Sequence, residues 1–233
     1  MLIEIFAVCH NEEKMMHYFL RHYLQYGLVT IFDNQSTDDS VKIAEKAGAI
    51  IFQFDTNNEF REDVLTQIRN TCWKGSKADW VIVTDIDELV YHKDLVKTLE
   101  NIKETVVLPR MFNMYSDEFP HIEGQIYDVV KYGTEIRSKM CLFRPNEIIA
   151  MNYEAGCHFA WPDGNFKLNF TSDIINLHFK NLSTEYVIKR NAYLNSRQSD
   201  VNRENNWNWH LAETPEQTIK NFEHNKQRLI KVV

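Results

Sequence analysis

Strand-like and helix-like patterns alternate along residues 1–100 of this chain. "LIEIFAVC", "VTIFDNQS", "AIIFQFD" and "DWVIVTDID" are short, apolar and rich in β-branched and aromatic residues, so each reads as a strand. Between them "EEKMMHYFLRHYLQYG", "TDDSVKIAEKAG" and "REDVLTQIRNTCWKGS" read as amphipathic helices, the first two closed by Gly27 and Gly48. Strands joined by single helices form right-handed βαβ units, which restricts the chain to an α/β fold with a mainly parallel sheet flanked by helices. Ligands bind such sheets beyond the carboxyl ends of the strands. Three of those ends carry acids: Asp33, Asp55, and the pair Asp85 and Asp87.

Beyond residue 100 the alternation gives way. "ETVVLPRM", "QIYDVVKYG", "SKMCLFRP" and "DIINLHF" read as strands, with loops expected from Met111 to Gly124 and from Glu154 to Phe170. Two helices are expected from Thr184 onward. The second has Thr214 as N-cap, Pro215 at the first helical position and Gln217 for a capping box. The expected organisation is a catalytic domain over 1–183, with halves at 1–100 and 101–183, and a C-terminal helical extension over 184–233. No internal repeat or low-complexity linker interrupts it.

Composition narrows the function classes. The 33 acids outnumber the 26 Lys and Arg, for a net charge of −7, the opposite of what a nucleic-acid partner requires. Cys9, Cys72, Cys141 and Cys157 form no CxxC pair and lie among apolar or small residues, which predicts reduced, buried thiols. The N-terminus lacks a basic region followed by a long apolar one, so no signal peptide is expected. No apolar run reaches the roughly 18 residues of a membrane span. A soluble cytoplasmic protein is expected, with peripheral contact to a membrane surface left open.

"WVIVTDIDEL" (80–89) raises a physical question. A buried strand runs into Asp85, Asp87 and Glu88, although like charges repel and carboxylates resist burial. Strand alternation puts Asp85 and Asp87 on one side. Two such carboxylates can chelate Mg²⁺ or Mn²⁺, which would relieve the repulsion; an exposed acidic turn is the plainer reading.

In order along the chain, "FAVCHNEE", "IFDNQSTDDS", "QIRNTCWKGSKADWVIVTDIDEL" and "LHFKNLS" resemble the family-2-like glycosyltransferases with a GT-A fold. The resemblance spans residues 2 to about 190 and leaves 200–233 unmatched. It implies a nucleotide-sugar donor, a uridine diphosphate sugar in the first instance, and a glycan or lipid-linked acceptor, with bacterial surface-polysaccharide assembly as the common setting. It also implies that Ala7, Val8 and Cys9, leading to Asn11 and Glu12, meet the nucleotide base. Asp33 and Asn34 would meet the base or ribose, with Arg69 and Asn70 nearby. Asp85 would face ribose and metal, Asp87 would ligate the metal, and His178 would complete its site. Lys139 and Arg144 suit a diphosphate, and His158 the diphosphate or the acceptor.

Simpler readings stand beside these: an Asx turn for Asp33, a helix-surface residue for Arg69, a core histidine for His178, and solvated strand edges for Lys139 and Arg144. An inverting mechanism, implied by the family alone, needs a carboxylate base. The family's usual Glu-Asp pair is missing, leaving Asp117, Glu118, Glu154 and Asp163 as candidates. Trp207, Trp209 and His210 could stack on an acceptor sugar or pack the C-terminal helices. Two alternatives compete with a transferase. One is a nucleotide- or glycan-binding module of the same fold without turnover. The other is a haloacid-dehalogenase-type phosphatase, disfavoured because three βα units precede "DIDEL".

Overall fold

A computed structural model describes residues 1–170 and 173–233. The expected alternation is present: β1 (Ile3–Cys9), α1 (Glu13–Tyr23), β2 (Leu28–Asp33), α2 (Ser40–Ala47), β3 (Ile50–Gln53), α3 (Glu62–Thr71) and β4 (Trp80–Asp85). There follow β5 (Glu88–Tyr91), α4 (Leu95–Asn101), β6 (Val106–Val107), β7 (Arg110–Ser116), β8 (Tyr132–Ile136) and β9 (Leu142–Phe143). A hairpin of β10 (Ile148–Ala150) and β11 (Asp163–Gly164) leads to β12 (Leu168–Asn169) and the long β13 (Ile175–Leu182). Last come α5 (Thr184–Ser196), α6 (Asp200–Glu204), α7 (Pro215–Lys226) and β14 (Ile230–Lys231).

Among the described residues, seven strands form a sheet ordered β12-β6-β9-β4-β1-β2-β3. The β4-β1-β2-β3 run is parallel throughout. A second, five-stranded sheet runs β14-β8-β7-β13-β5. The α/β class with helices flanking a central sheet is therefore as expected. The main core lies under α1, whose Met15, Met16, Phe19 and Tyr23 are fully buried at helix spacing against Ile3, Ile5, Trp80 and Ile82.

Several local expectations change. Gly27 does not cap α1, which ends at Tyr23; it is needed where the backbone crosses Ile3, whose carbonyl a Cβ would strike. Gly48 does cap α2, at φ 92°. Residues 110–116 are a strand, not part of a loop, and 126–128 form a 3₁₀ turn where a strand was expected. "ELVY" breaks away from β4 to open the second sheet. Thr214 and Gln217 make the expected capping box. The cysteines are free, and burial pushes the Cys72 and Cys157 thiols up to about 12. No helix among the described residues is long and apolar enough to cross a membrane.

Candidate functional site

β1 lies between β2 and β4, so the connections leaving its carboxyl end and that of β4 diverge, which opens a crevice. A cavity of about 430 Å³ sits there, lined by Val8 and Cys9 of β1 and by Asp85 of β4. Asp85 is the last residue of β4, paired in register with Val8. After Ile86 the chain enters the second sheet, where Glu88 lies opposite His178 of β13. The D-x-D stretch therefore bridges the two sheets, and its two aspartates acquire different surroundings.

Asp85 is clamped between cations. Arg69 donates to its Oδ1 at 2.6 Å and Lys139 to its Oδ2 at 3.0 Å. Burial alone would raise its pKa, but Arg69 and Lys139 overrule it and hold the carboxyl well below the usual range. Arg69 also reaches Glu62 at 3.2 Å, and Lys139 reaches the fully buried Glu88. Asp87 faces His178, Nε2 at 3.4 Å, and Arg190 of α5 at 3.2 Å. Burial again opposes ionisation, and His178 with Arg190 again wins, keeping Asp87 charged. Arg190 also donates to Glu12 at 3.3 Å. Burial lifts Glu12 to about 7, with Arg190 pulling it down and Asp87 pushing it up. The acid repulsion of the D-x-D stretch is thus compensated from within the chain.

One oxygen or nitrogen each from Asp87, Glu88 and His178 lie within 4.8 Å of one another, a spacing that can hold a metal ion. Glu88 is committed elsewhere, its Oε1 to Lys139 and its Oε2 to Asn176 at 3.2 Å. Asp87 and His178 line the cavity, and His178 Nδ1 is buried without a hydrogen-bond partner. This carboxylate–imidazole pair fits a divalent cation with open positions. Asp85 lies outside the cluster.

The other expected residues divide. His158 lines the same cavity; burial and then Lys139 lower its imidazole to about 4. Asn34 lines it too, with its amide on Thr56. Asp33 is fully buried and accepts from the backbone and hydroxyl of Ser36 and from Gln53, the Asx-turn arrangement. Ala7 is buried in β1. Asn70 brackets both backbone polar groups of Tyr153. Arg144 is outside the cavity, stacked 4.3 Å from the Trp80 ring and donating to Ile102 O at 2.7 Å.

Asn11, at φ 53°, bonds Thr37 and Tyr193 and faces a second cavity of about 620 Å³. Asp117 and Glu118 border that second cavity. Glu154 accepts from Trp161 Nε1, and Asp163 is exposed on β11. None of these four carboxylates lines the first cavity. Glu12 and Arg190 border both.

The C-terminal segment is part of the site. Trp207, Asn208 and His210 line the first cavity, whereas Trp209 is 64% exposed. Lys180 lines it as well and donates to His210 Nε2 at 2.9 Å. Lys180, two residues from His178 in a strand, could have been flagged by alternation; Arg190 and Glu62 carry no such local signal.

No family model matches the chain, and no curated protein matches it. Solved structures similar to it include S. aureus TarS 1–349, at 14% identity and a TM-score of 0.49, covering 84% of this chain and 65% of that one. TarS 1–349 has also been solved in complex with UDP, at a TM-score of 0.48. Glucosyl-3-phosphoglycerate synthase from Mycobacterium tuberculosis, in complex with Mn²⁺, UDP and glucosyl-3-phosphoglycerate, matches at 17% identity and a TM-score of 0.35, over 48% of this chain and 44% of that one. Both are GT-A glycosyltransferases, and this chain spans less than two thirds of either.

Proposed function

We propose that this chain is a metal-dependent glycosyltransferase that moves a sugar from a nucleotide-sugar donor, a uridine diphosphate sugar first, to a glycan or lipid-linked acceptor. The observation that carries the reading is the placement of Asp87 and His178, a carboxylate and an imidazole, in a cavity at the carboxyl ends of β1 and β4. That is where an α/β sheet takes a nucleotide, and the motif resemblance points the same way.

Asp87 and His178 would hold Mn²⁺ or Mg²⁺. The cation supplies Lewis-acid stabilisation of the charge on the leaving diphosphate. Arg69 and Lys139 keep Asp85 ionised and fixed, so that it can orient the ribose. The acceptor hydroxyl needs a base. Glu12, bordering both cavities, is better placed for that than Asp117, Glu118, Glu154 or Asp163. The second cavity, where Asp117 and Glu118 stand, would then receive the acceptor. Assembly of a bacterial surface polysaccharide, in the cytoplasm and at the membrane surface, is the setting the motif resemblance favours. A nucleotide-binding module without turnover is the second reading, favoured because none of those four carboxylates lines the first cavity.

The test is a thermal-shift panel of UDP, GDP, CDP and ADP with Mn²⁺ or with EDTA, followed by hydrolysis of the matching nucleotide sugar. A ligand at 100 times its Kd stabilises the fold by about 2.7 kcal/mol. A metal-dependent shift for one nucleotide, with slow release of its sugar, supports the transferase. The same shift without turnover supports the module, and no shift with any nucleotide sinks both.

A further inference from the structure

A leaving diphosphate must meet positive charge, and most cations around the first cavity are already compensated. Arg69 lies between Glu62 and Asp85, Lys139 between Asp85 and Glu88, and Arg190 between Glu12 and Asp87. Arg197 has no carboxylate within 4.0 Å among the described residues, but its Nε is held by the backbone and side-chain oxygens of Asn58 and its Nη2 is buried without a partner. Lys180 differs from the three paired cations and from Arg197 in how it is held. It is half-buried on β13 and lines the cavity. Among the described residues no carboxylate oxygen comes within 4.0 Å of its Nζ, which donates instead to His210 Nε2 at 2.9 Å. An imidazole nitrogen that accepts belongs to a neutral ring protonated at Nδ1, so His210 orients the ammonium without neutralising it. A cation drawn partly out of water with no carboxylate in contact is costly to the fold, and an anionic ligand would supply that contact.

We infer that Lys180, oriented by His210, is the phosphate-binding group of this cavity and takes the terminal phosphate of a nucleoside diphosphate, an inference that rests on the donor reading above. His210 is then a positioning residue. It comes from the segment after α6, which would give that segment a role in donor binding. The remaining two donor hydrogens of the ammonium are free for phosphoryl oxygens, and a charge-assisted bond of this kind is roughly twice as strong as a neutral one.

The experiment is calorimetric titration of UDP, uridine and inorganic pyrophosphate, with Mn²⁺ present, into the wild type, Lys180→Met, Lys180→Arg, His210→Ala and His210→Gln. Lys180→Met should weaken UDP about 10- to 100-fold and leave uridine within about twofold. Lys180→Arg should recover most of the loss. His210→Ala should weaken UDP about fivefold, and His210→Gln, which keeps an acceptor, should restore it. Equal weakening of UDP and uridine, or no weakening of UDP, overturns the inference. If the wild type binds neither UDP nor uridine, the donor reading has failed. Pyrophosphate then decides: binding that Lys180→Met removes keeps the phosphate site, and no binding ends it. A melting curve for each variant separates lost affinity from lost folding.

Discussion

Arg190 Nη2 stands 3.2 Å from Asp87 Oδ2, so α5, the helix after β13, supplies a counter-charge for an acid of the proposed metal site. The same nitrogen is 3.3 Å from Glu12 Oε1. One guanidinium thus ties the carboxyl end of β1, the start of β5 and the C-terminal helices together.

Arg190→Met should therefore destabilise the protein more than an ordinary surface change. It leaves Asp87 with His178 alone and Glu12 without its cation. Breaking a buried pair costs about 3–5 kcal/mol, and the 23% exposure of the Arg190 side chain reduces this to about 2 kcal/mol. Mn²⁺ should recover part of that loss. Urea melts with and without Mn²⁺ measure both effects, and a variant as stable as the wild type would show the pair to be idle.

Gly27→Ala tests a different contact. The added Cβ would meet the Ile3 carbonyl, a backbone group in the central sheet that cannot swing aside. Overpacking of this kind costs about 2 kcal/mol. A glycine that merely ended α1 would tolerate alanine far better, so the midpoint of a denaturant curve distinguishes the two roles.

The first four strands were legible because each is a short, largely apolar run, three of them running into an acid, bounded by helices with their own period. Asp87 and His178 were marked as candidates by residue type, strand position and the family resemblance, and the structure brings them within 3.4 Å of each other. What could not be read is where the chain changes sheets. "DIDEL" looks like one strand end, yet Glu88 starts a new strand as a fully buried acid, and its partners Lys139 and Asn176 are 51 and 88 residues away. Arg190 is 103 residues from Asp87. Pairs at such separations leave no periodicity, and an isolated arginine on a helix looks like any solvated one. His210 was noted only beside Trp207 and Trp209 as a stacking or packing group, because its bond to Lys180 joins residues 30 apart in different elements.

His22 predicts a pH dependence remote from the site. It is fully buried on α1 and donates from Nε2 to the Val90 carbonyl at 2.9 Å. Burial lowers its imidazole from 6.5 to about 4, and the Val90 bond only partly opposes this. Between those values the unfolded chain binds a proton that the folded chain refuses, so stability falls as pH drops from about 6.5 to about 4, by about 3 kcal/mol. Glu12 acts oppositely: its raised pKa favours the folded state below 4.5, a contribution lost as pH rises through about 7. The His22→Gln variant isolates the histidine, since Glu12 is common to both proteins. On going from pH 7 to pH 5 the variant should gain stability from Glu12 alone, whereas in the wild type the His22 loss offsets that gain, and an identical change in the two proteins would refute the assignment.

The two aspartates of the D-x-D stretch should respond differently to amide substitution. Asp85 lies between Arg69 and Lys139, both nearly buried, so Asp85→Asn leaves two cations sharing only Glu62 and Glu88. A loss of about 3 kcal/mol is expected, or a fall of about 6–12 °C in Tm for a chain of this size. The rise in Tm on adding Mn²⁺ should survive, because Asp87 and His178 are untouched. Asp87→Asn removes a proposed metal ligand yet leaves Arg190 paired with Glu12, so Tm should fall less while the response to Mn²⁺ disappears. Thermal melts of both variants with Mn²⁺ and with EDTA decide the matter. Loss of the metal response in Asp85→Asn alone would move the cation to the other end of the turn, where Arg69 and Lys139 would first have to release the carboxylate.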